Sequence, residues 1–81
     1  MIDPDGRVVM VSGANRGIGL AVAERLHDDG YLVSLGARDT KALEKATKKF
    51  DAERVLRVPF DATDRKSHED WVKSTAERFG R

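Results

Sequence analysis

The 81-residue sequence contains no cysteine, which excludes a disulfide scaffold, a zinc ribbon and thiol catalysis while fitting any cellular compartment. Histidine is scarce: His27 and His68 are too few to build a metal site. Long apolar runs are missing too, for the longest, residues 8–11, falls far short of the ~20 that span a bilayer. Residues 1–6 show no basic segment leading into the apolar stretch of a signal peptide. Neither sign of charge dominates, since 15 Lys and Arg against 14 Asp and Glu leave a formal +1, and no global field draws in nucleic acid or an anionic membrane. No internal repeat, low-complexity tract or linker interrupts the chain. A cytoplasmic protein with no nucleic-acid or membrane partner is the expectation.

What is present is a balance of 40% hydrophobic and 36% charged residues, enough apolar material for the core of one small domain or a piece of one. Apolar periodicity alternates between short runs and helical spacing three times, which predicts a βαβαβα order around a parallel sheet. The first strand is read over residues 7–12, β-branched and apolar on both faces. Ile18, Val22 and Leu26 recur at four-residue spacing along a first helix that stops at Gly30. Residues 31–35 form the second strand, and Asp39 caps a second helix with Leu43, Ala46 and Phe50 on one face, ending near Phe50. After the polar loop 51–54 comes a third strand over 55–58, bounded by Pro59. The last helix runs from about Arg65 to Phe79 with Trp71, Val72, Ala76 and Phe79 as its apolar stripe, Ser67 and Asp70 as a capping pair and Gly80 as terminator.

The chemistry-bearing motif is the glycine turn from Ser12 to Gly19, where the first strand hands over to the first helix. A dinucleotide's pyrophosphate requires bare backbone at such a place. Gly13 permits the tight turn, Gly17 lets the main chain approach phosphate without a Cβ in the way, and Gly19 allows the helix to pack close to the strand. Unpaired N–H groups and the positive end of the helix dipole then face the anion. The bland alternative is a tight βα turn with no ligand. A Walker-type loop is excluded, because Gly17 is followed by Ile18, Gly19 and Leu20 rather than by Lys and Ser or Thr.

The spacing G-x-x-x-G-I-G over Gly13, Gly17, Ile18 and Gly19 resembles that of the short-chain dehydrogenase/reductase family. Ser12, the run Asp61-Ala62-Thr63 and the close Glu77-Arg78-Phe79-Gly80 resemble family landmarks in the same order, so the resemblance covers the whole chain. It implies a Rossmann-type doubly wound sheet in which these three strands lie in order 3-2-1, within a full order of 3-2-1-4-5-6-7. Residues 1–81 would then be the N-terminal dinucleotide-binding half of a larger domain. It also implies that the Asp61 carboxylate and the Ala62 backbone hold adenine, Asp61 accepting from the exocyclic amine. The implied activity is hydride transfer between NADP(H) and a carbonyl or alcohol. Family members use a Tyr and a Lys four apart, a Ser before them and a later Asn. None is present: the only tyrosine, Tyr31, has Leu35 four residues on, and the chain alone is expected to be inactive.

An NAD site places a carboxylate at the end of the second strand, whereas a 2′-phosphate needs a cation there. Here the strand is followed by Arg38, and Arg16 stands just before the second glycine; the family's NADP-dependent members carry a basic residue at one or both of these places, and here both are filled, so NADP is the expected cofactor. Asp39, about 20 residues beyond Gly19, is the competing signal and is read as the helix cap instead. Asn15 could reach the adenosine ribose or serve only the turn. The dinucleotide-binding positions are therefore Gly13, Asn15, Arg16, Gly17, Ile18, Gly19, Arg38, Asp61 and Ala62. His68 beside Glu69 and Asp70 reads as a solvated helix face, His27 as unremarkable and Trp71 as core. With the first strand's outer edge open and faces around Ile18, Val22 and Trp71 partly exposed, a complementary C-terminal polypeptide or a second copy is expected to cover it. The other reading is a stand-alone or self-assembling nucleotide-binding unit without redox chemistry.

Overall fold

Residues 7–80 are described by a computed structural model; residues 1–6, read above as lacking a signal-peptide pattern, and Arg81 lie outside the described residues. The alternation takes the form β1 (Val8–Ser12), α1 (Gly17–Asp28), β2 (Leu32–Ala37), α2 (Thr40–Ala46), β3 (Val55–Pro59) and α3 (Arg65–Phe79). Both strand pairs are parallel, with Val9 opposite Val33 and Val33 opposite Val55, and the sheet order β1-β2-β3 is the expected 3-2-1.

Alternation along β2 divides the molecule into layers. Val33, Leu35 and Ala37 enter one core with Val11, Ala23 of α1, Leu43 of α2, Phe50 and Val55. Ser34 and Gly36 face the opposite side, where α3 lays Trp71 against Val58 and Phe60. Helices on both faces make the sheet doubly wound. Gly36 has a packing reason: a Cβ there would stand 2.9 Å from Phe60 Cβ and 3.1 Å from the Trp71 ring. Beside it lies a closed hydrogen-bond circuit. Trp71 Nε1–H donates to Ser34 Oγ at 2.8 Å, and Thr75 Oγ1 donates to the Trp71 carbonyl at 2.7 Å. Ser34 therefore supplies the proton of the 2.7 Å Ser34–Thr75 contact, and every buried polar side-chain atom among the described residues has a partner.

Several expectations shift. β2 begins and ends later than residues 31–35, and α2 stops at Ala46; Phe50 still reaches the core through a following turn in which Thr47 Oγ1 donates to Leu43 O. Ser67 and Asp70 do not cap α3. Asp64 does, accepting from Lys66 N–H at 3.0 Å, while Ser67 ties down the preceding loop. The inward line of α1 is half-buried Gly19, fully buried Ala23 and half-buried Leu26 rather than Ile18 and Val22, which stay exposed, because small residues let the helix approach the sheet more closely. On α3 the buried pair is Trp71 and Thr75, whereas Val72 and Ala76 are exposed; Trp71 is thus core and not part of an open face. His27 is not unremarkable either. Its side chain is only 13% exposed, stacks on Phe50 with centroids 4.4 Å apart, and accepts from Asp51 N–H at 2.9 Å through Nε2. Arg54 clamps the same corner, donating to His27 O at 3.0 Å and Tyr31 O at 3.3 Å.

Candidate functional site

The turn after β1 closes onto β2, with Gly13 N–H donating to Gly36 O at 2.8 Å and Ala14 N–H reaching the same oxygen at 3.4 Å. Gly13 sits at φ 64° and Gly17 at φ 60°, left-handed values that disfavour any side chain. Space in front of Gly17 is open, so its backbone is reachable. Gly19 differs, because a Cβ there would run into the Gly13 carbonyl, and its absence brings α1 against the end of β1.

The N-termini of the three helices are treated differently. Asp39 Oδ1 accepts from Ala42 N–H at 3.0 Å at the start of α2, and Asp64 caps α3 in the same way. At α1 the cap position is Arg16, extended at φ −167° with no side-chain cap bond, and the first turn holds no acid. Its first N–H groups have no side-chain acceptor among the described residues, and a cation stands where the helix dipole already has its positive end. That local arrangement is unfavourable unless an anion sits there.

Around this N-terminus opens a cleft of about 800 Å³ lined by Ser12, Gly13, Asn15, Arg16, Gly17, Ala37, Arg38, Asp39, Phe60 and Ala62. It lies beyond the carboxyl ends of all three strands, the general place for ligands in open α/β sheets. The lining carries two arginines against one aspartate, and one oxygen of that aspartate is engaged as the α2 cap. Arg38, its side chain 74% exposed, donates from Nη2 to Asp61 Oδ1 at 3.3 Å. The same oxygen accepts from Thr63 Oγ1 at 2.7 Å and Thr63 N–H at 2.9 Å. These Thr63 bonds, and then Arg38, hold the Asp61 carboxyl below the ordinary carboxylate range. Ser67 fixes the backbone beneath, accepting from Asp61 N–H at 3.1 Å and donating to Asp61 O at 2.7 Å.

Of the positions read from the sequence, Gly13, Asn15, Arg16, Gly17, Arg38 and Ala62 share the cleft. Three do not line it: Ile18 is 85% exposed, Gly19 lies behind the turn, and Asp61 stands to one side, joined through Arg38. Sequence reasoning overlooked Phe60, which floors the cleft while packing on Trp71 at 4.5 Å and edge-on to His68 at 4.7 Å. An aromatic just past a strand's proline was the available signal. It also gave no task to Thr63.

The family model described as short chain dehydrogenase matches residues 7–81. This chain belongs to that family. Agropine synthesis reductase of Rhizobium rhizogenes is 47% identical over 74 residues, covering 91% of this chain and 17% of the relative. An alcohol dehydrogenase from Thermococcus sibiricus, solved in complex with 5-hydroxy-NADP, is 39% identical with a TM-score of 0.83, covering 91% of this chain and 33% of its own. A short chain dehydrogenase/reductase from Burkholderia phymatum, solved with NAD, is 28% identical with a TM-score of 0.90, covering 100% of this chain and 30% of its own. The chain therefore spans a third or less of each of these short-chain dehydrogenase relatives, and its three-stranded layer is Rossmann-type. No helix among the described residues is long and apolar enough to cross a membrane.

Proposed function

We propose that residues 1–81 are the dinucleotide-binding part of an NADP(H)-dependent short-chain dehydrogenase, with the pyrophosphate at the start of α1 and the adenosine 2′-phosphate between Arg16 and Arg38. The observation that carries this reading is the start of α1, uncapped, free of acid and opening on the cleft that also holds both arginines. Two guanidinium forks suit a phosphate dianion, and charge-assisted contacts of this kind are the strong ones. Adenine would lie toward Asp61 and Ala62. NAD-type recognition would need a carboxylate free for both ribose hydroxyls, and Asp39 has one oxygen committed to α2. The Thermococcus and Burkholderia structures carry an NADP derivative and NAD respectively, so the choice rests on these side chains rather than on kinship. The nicotinamide chemistry would require groups beyond this chain, whose only tyrosine is half-buried Tyr31 packed against the core. The outer edge of β1, which pairs with no strand among the described residues, supports a partner there, a complementary polypeptide or a second copy. Calorimetric titration decides the cofactor: NADP(H) should bind more tightly than NAD(H), and Arg38→Asp should reverse the order, each lost charge-assisted contact costing roughly 1.5–3 kcal/mol. Tighter NAD(H) binding by the unmodified chain would sink the assignment.

A further inference from the structure

Asp61 uses its two carboxylate oxygens unequally. Oδ1 accepts from Thr63 N–H, Thr63 Oγ1 and Arg38 Nη2, whereas Oδ2 accepts nothing among the described residues. An oxygen offers about two lone-pair directions, so three donors on one atom compete. The two from Thr63 are local and short at 2.9 and 2.7 Å; the Arg38 contact, at 3.3 Å from a side chain 74% exposed, is the weak one. Arg38 is therefore parked beside the cleft by its loosest tie.

We infer that Thr63 is a positioning residue for 2′-phosphate recognition: by satisfying Asp61 Oδ1 itself, it lets Arg38 leave that carboxylate for the phosphate. The inference rests on the cofactor reading above and adds a discriminating residue that touches neither phosphate nor base. When Arg38 swings to the phosphate, Oδ1 keeps both Thr63 donors, and what is given up is a long, solvent-screened ion pair, an interaction of small worth. What is gained is a charge-assisted contact to a dianion. Without the Thr63 hydroxyl, Oδ1 keeps only one backbone N–H besides Arg38. The guanidinium then becomes a principal partner, and its release costs more. A ligand without the 2′-phosphate never asks Arg38 to move and does not register the change.

Adenosine 2′,5′-bisphosphate and 5′-AMP serve as probes, because every group invoked lies within the 81 residues. Affinities of both for the unmodified chain, Thr63→Val and Thr63→Ser are measured by calorimetry. The bisphosphate-to-AMP affinity ratio should fall about fivefold in Thr63→Val, the factor carried by one ordinary hydrogen bond, and return in Thr63→Ser. Equal weakening of both ligands would mean that Thr63 merely maintains the loop, and would overturn the inference while leaving the cofactor reading intact. An unmodified chain that binds both probes equally, or neither, would overturn the cofactor reading and the inference with it. A second measurement covers a Thr63→Val chain that does not fold. In the unmodified chain, the Arg38 guanidinium NMR signal should shift with the bisphosphate and stay in place with 5′-AMP, and any other pattern removes the latch.

Discussion

Replacing Ser34 with alanine removes a single oxygen from a site with no solvent exposure and breaks two hydrogen bonds of the buried circuit at once. The Trp71 indole N–H, 2.8 Å from that oxygen, is left without an acceptor, and a rigid ring on a packed helix cannot turn to find another. Stranding a buried donor costs ~1–3 kcal/mol, and the lost Ser34–Thr75 bond adds ~0.5–1.5 kcal/mol. The sum of ~1.5–4.5 kcal/mol is a large share of the ~4–12 kcal/mol that a chain of this length commands. At this size each kcal/mol moves the midpoint by ~4–8 °C, so thermal unfolding should drop by at least ~6 °C. Trp71 is the only tryptophan and reports its own surroundings, so urea unfolding followed by fluorescence is a direct assay.

Thr75→Val is the control. It preserves shape and leaves the Trp71 to Ser34 bond intact, and the Ser34 hydroxyl can rotate, so the cost should be nearer ~1 kcal/mol. Because the two residues share a bond, the double variant should lose less than the sum of the single losses. A Ser34→Ala protein within ~0.5 kcal/mol of the unmodified chain, or one less affected than Thr75→Val, would refute the circuit as the tie between α3 and the sheet.

Burial, and then Arg54, lower the His27 pKa below 6.5, so the unfolded chain binds that proton more readily. Stability from His27 is then complete above pH 6.5 and lost as pH falls below it; Asp51 and Asp61, both lowered from 3.8, act only in more acid solution. Unfolding midpoints measured from neutral to mildly acid pH should show the loss, and His27→Gln should flatten it; equal slopes would count against the Asp51 N–H to imidazole bond. Gly19→Ala should destabilise more than Gly17→Ala, whose Cβ meets open space and bears only ~1–2 kcal/mol of left-handed backbone strain. Gly17→Ala should instead weaken dinucleotide binding beyond its effect on stability, and calorimetry of both variants separates the two outcomes. Light scattering at micromolar concentration should report a dimer or larger species for the chain alone, and a folded monomer whose outward β1 amides exchange as freely as a loop's would defeat that expectation.

The strands and the glycine turn were legible because each has a local cause: runs of β-branched residues, a backbone that must pass through positive φ, and an aspartate three residues ahead of an orphan N–H. Helix faces were legible only in part. Four-residue spacing singled out Ile18, Val22 and Leu26, yet Ala23 is fully buried and Ile18 is not. What buries a position on α1 is how closely the helix approaches the sheet, and that is set by Gly19 against Gly13, a contact between residues that look neutral in a hydropathy pattern. On α3 the same blindness hid Thr75, whose hydroxyl looks solvent-facing until Ser34 and Trp71 are brought beside it. The Arg38–Asp61 pair joins residues 23 apart through the strand register, and no single stretch of sequence could have displayed it.

The misplaced faces carry information of their own. On α1, Glu24 turns toward the segment that follows α2, where it pairs with Lys49 at 3.1 Å, so Val22, about 200° away around the helix, takes the opposite flank, on the β1 side. On α3, which packs on β3 and β2, Lys66, Asp70, Lys73 and Glu77 border the hollow beside β3, which leaves Val72, Ala76 and Phe79 on the other flank, toward the β1 side of the sheet. Between these flanks lies the outer edge of β1. Its bonds to β2 run through Arg7 and Gly13, so the parallel ladder aims the N–H and C=O groups of Val8, Met10 and Ser12 outward. The opposite edge of the sheet is built otherwise, with Pro59 ending β3 and Arg57 bound back to Thr47 at 2.8 Å. Sheets protect a free edge with proline and charge, and among the described residues the β3 edge has both. Among the described residues nothing pairs with these outward groups of β1, and strand pairing is the interaction such an edge offers.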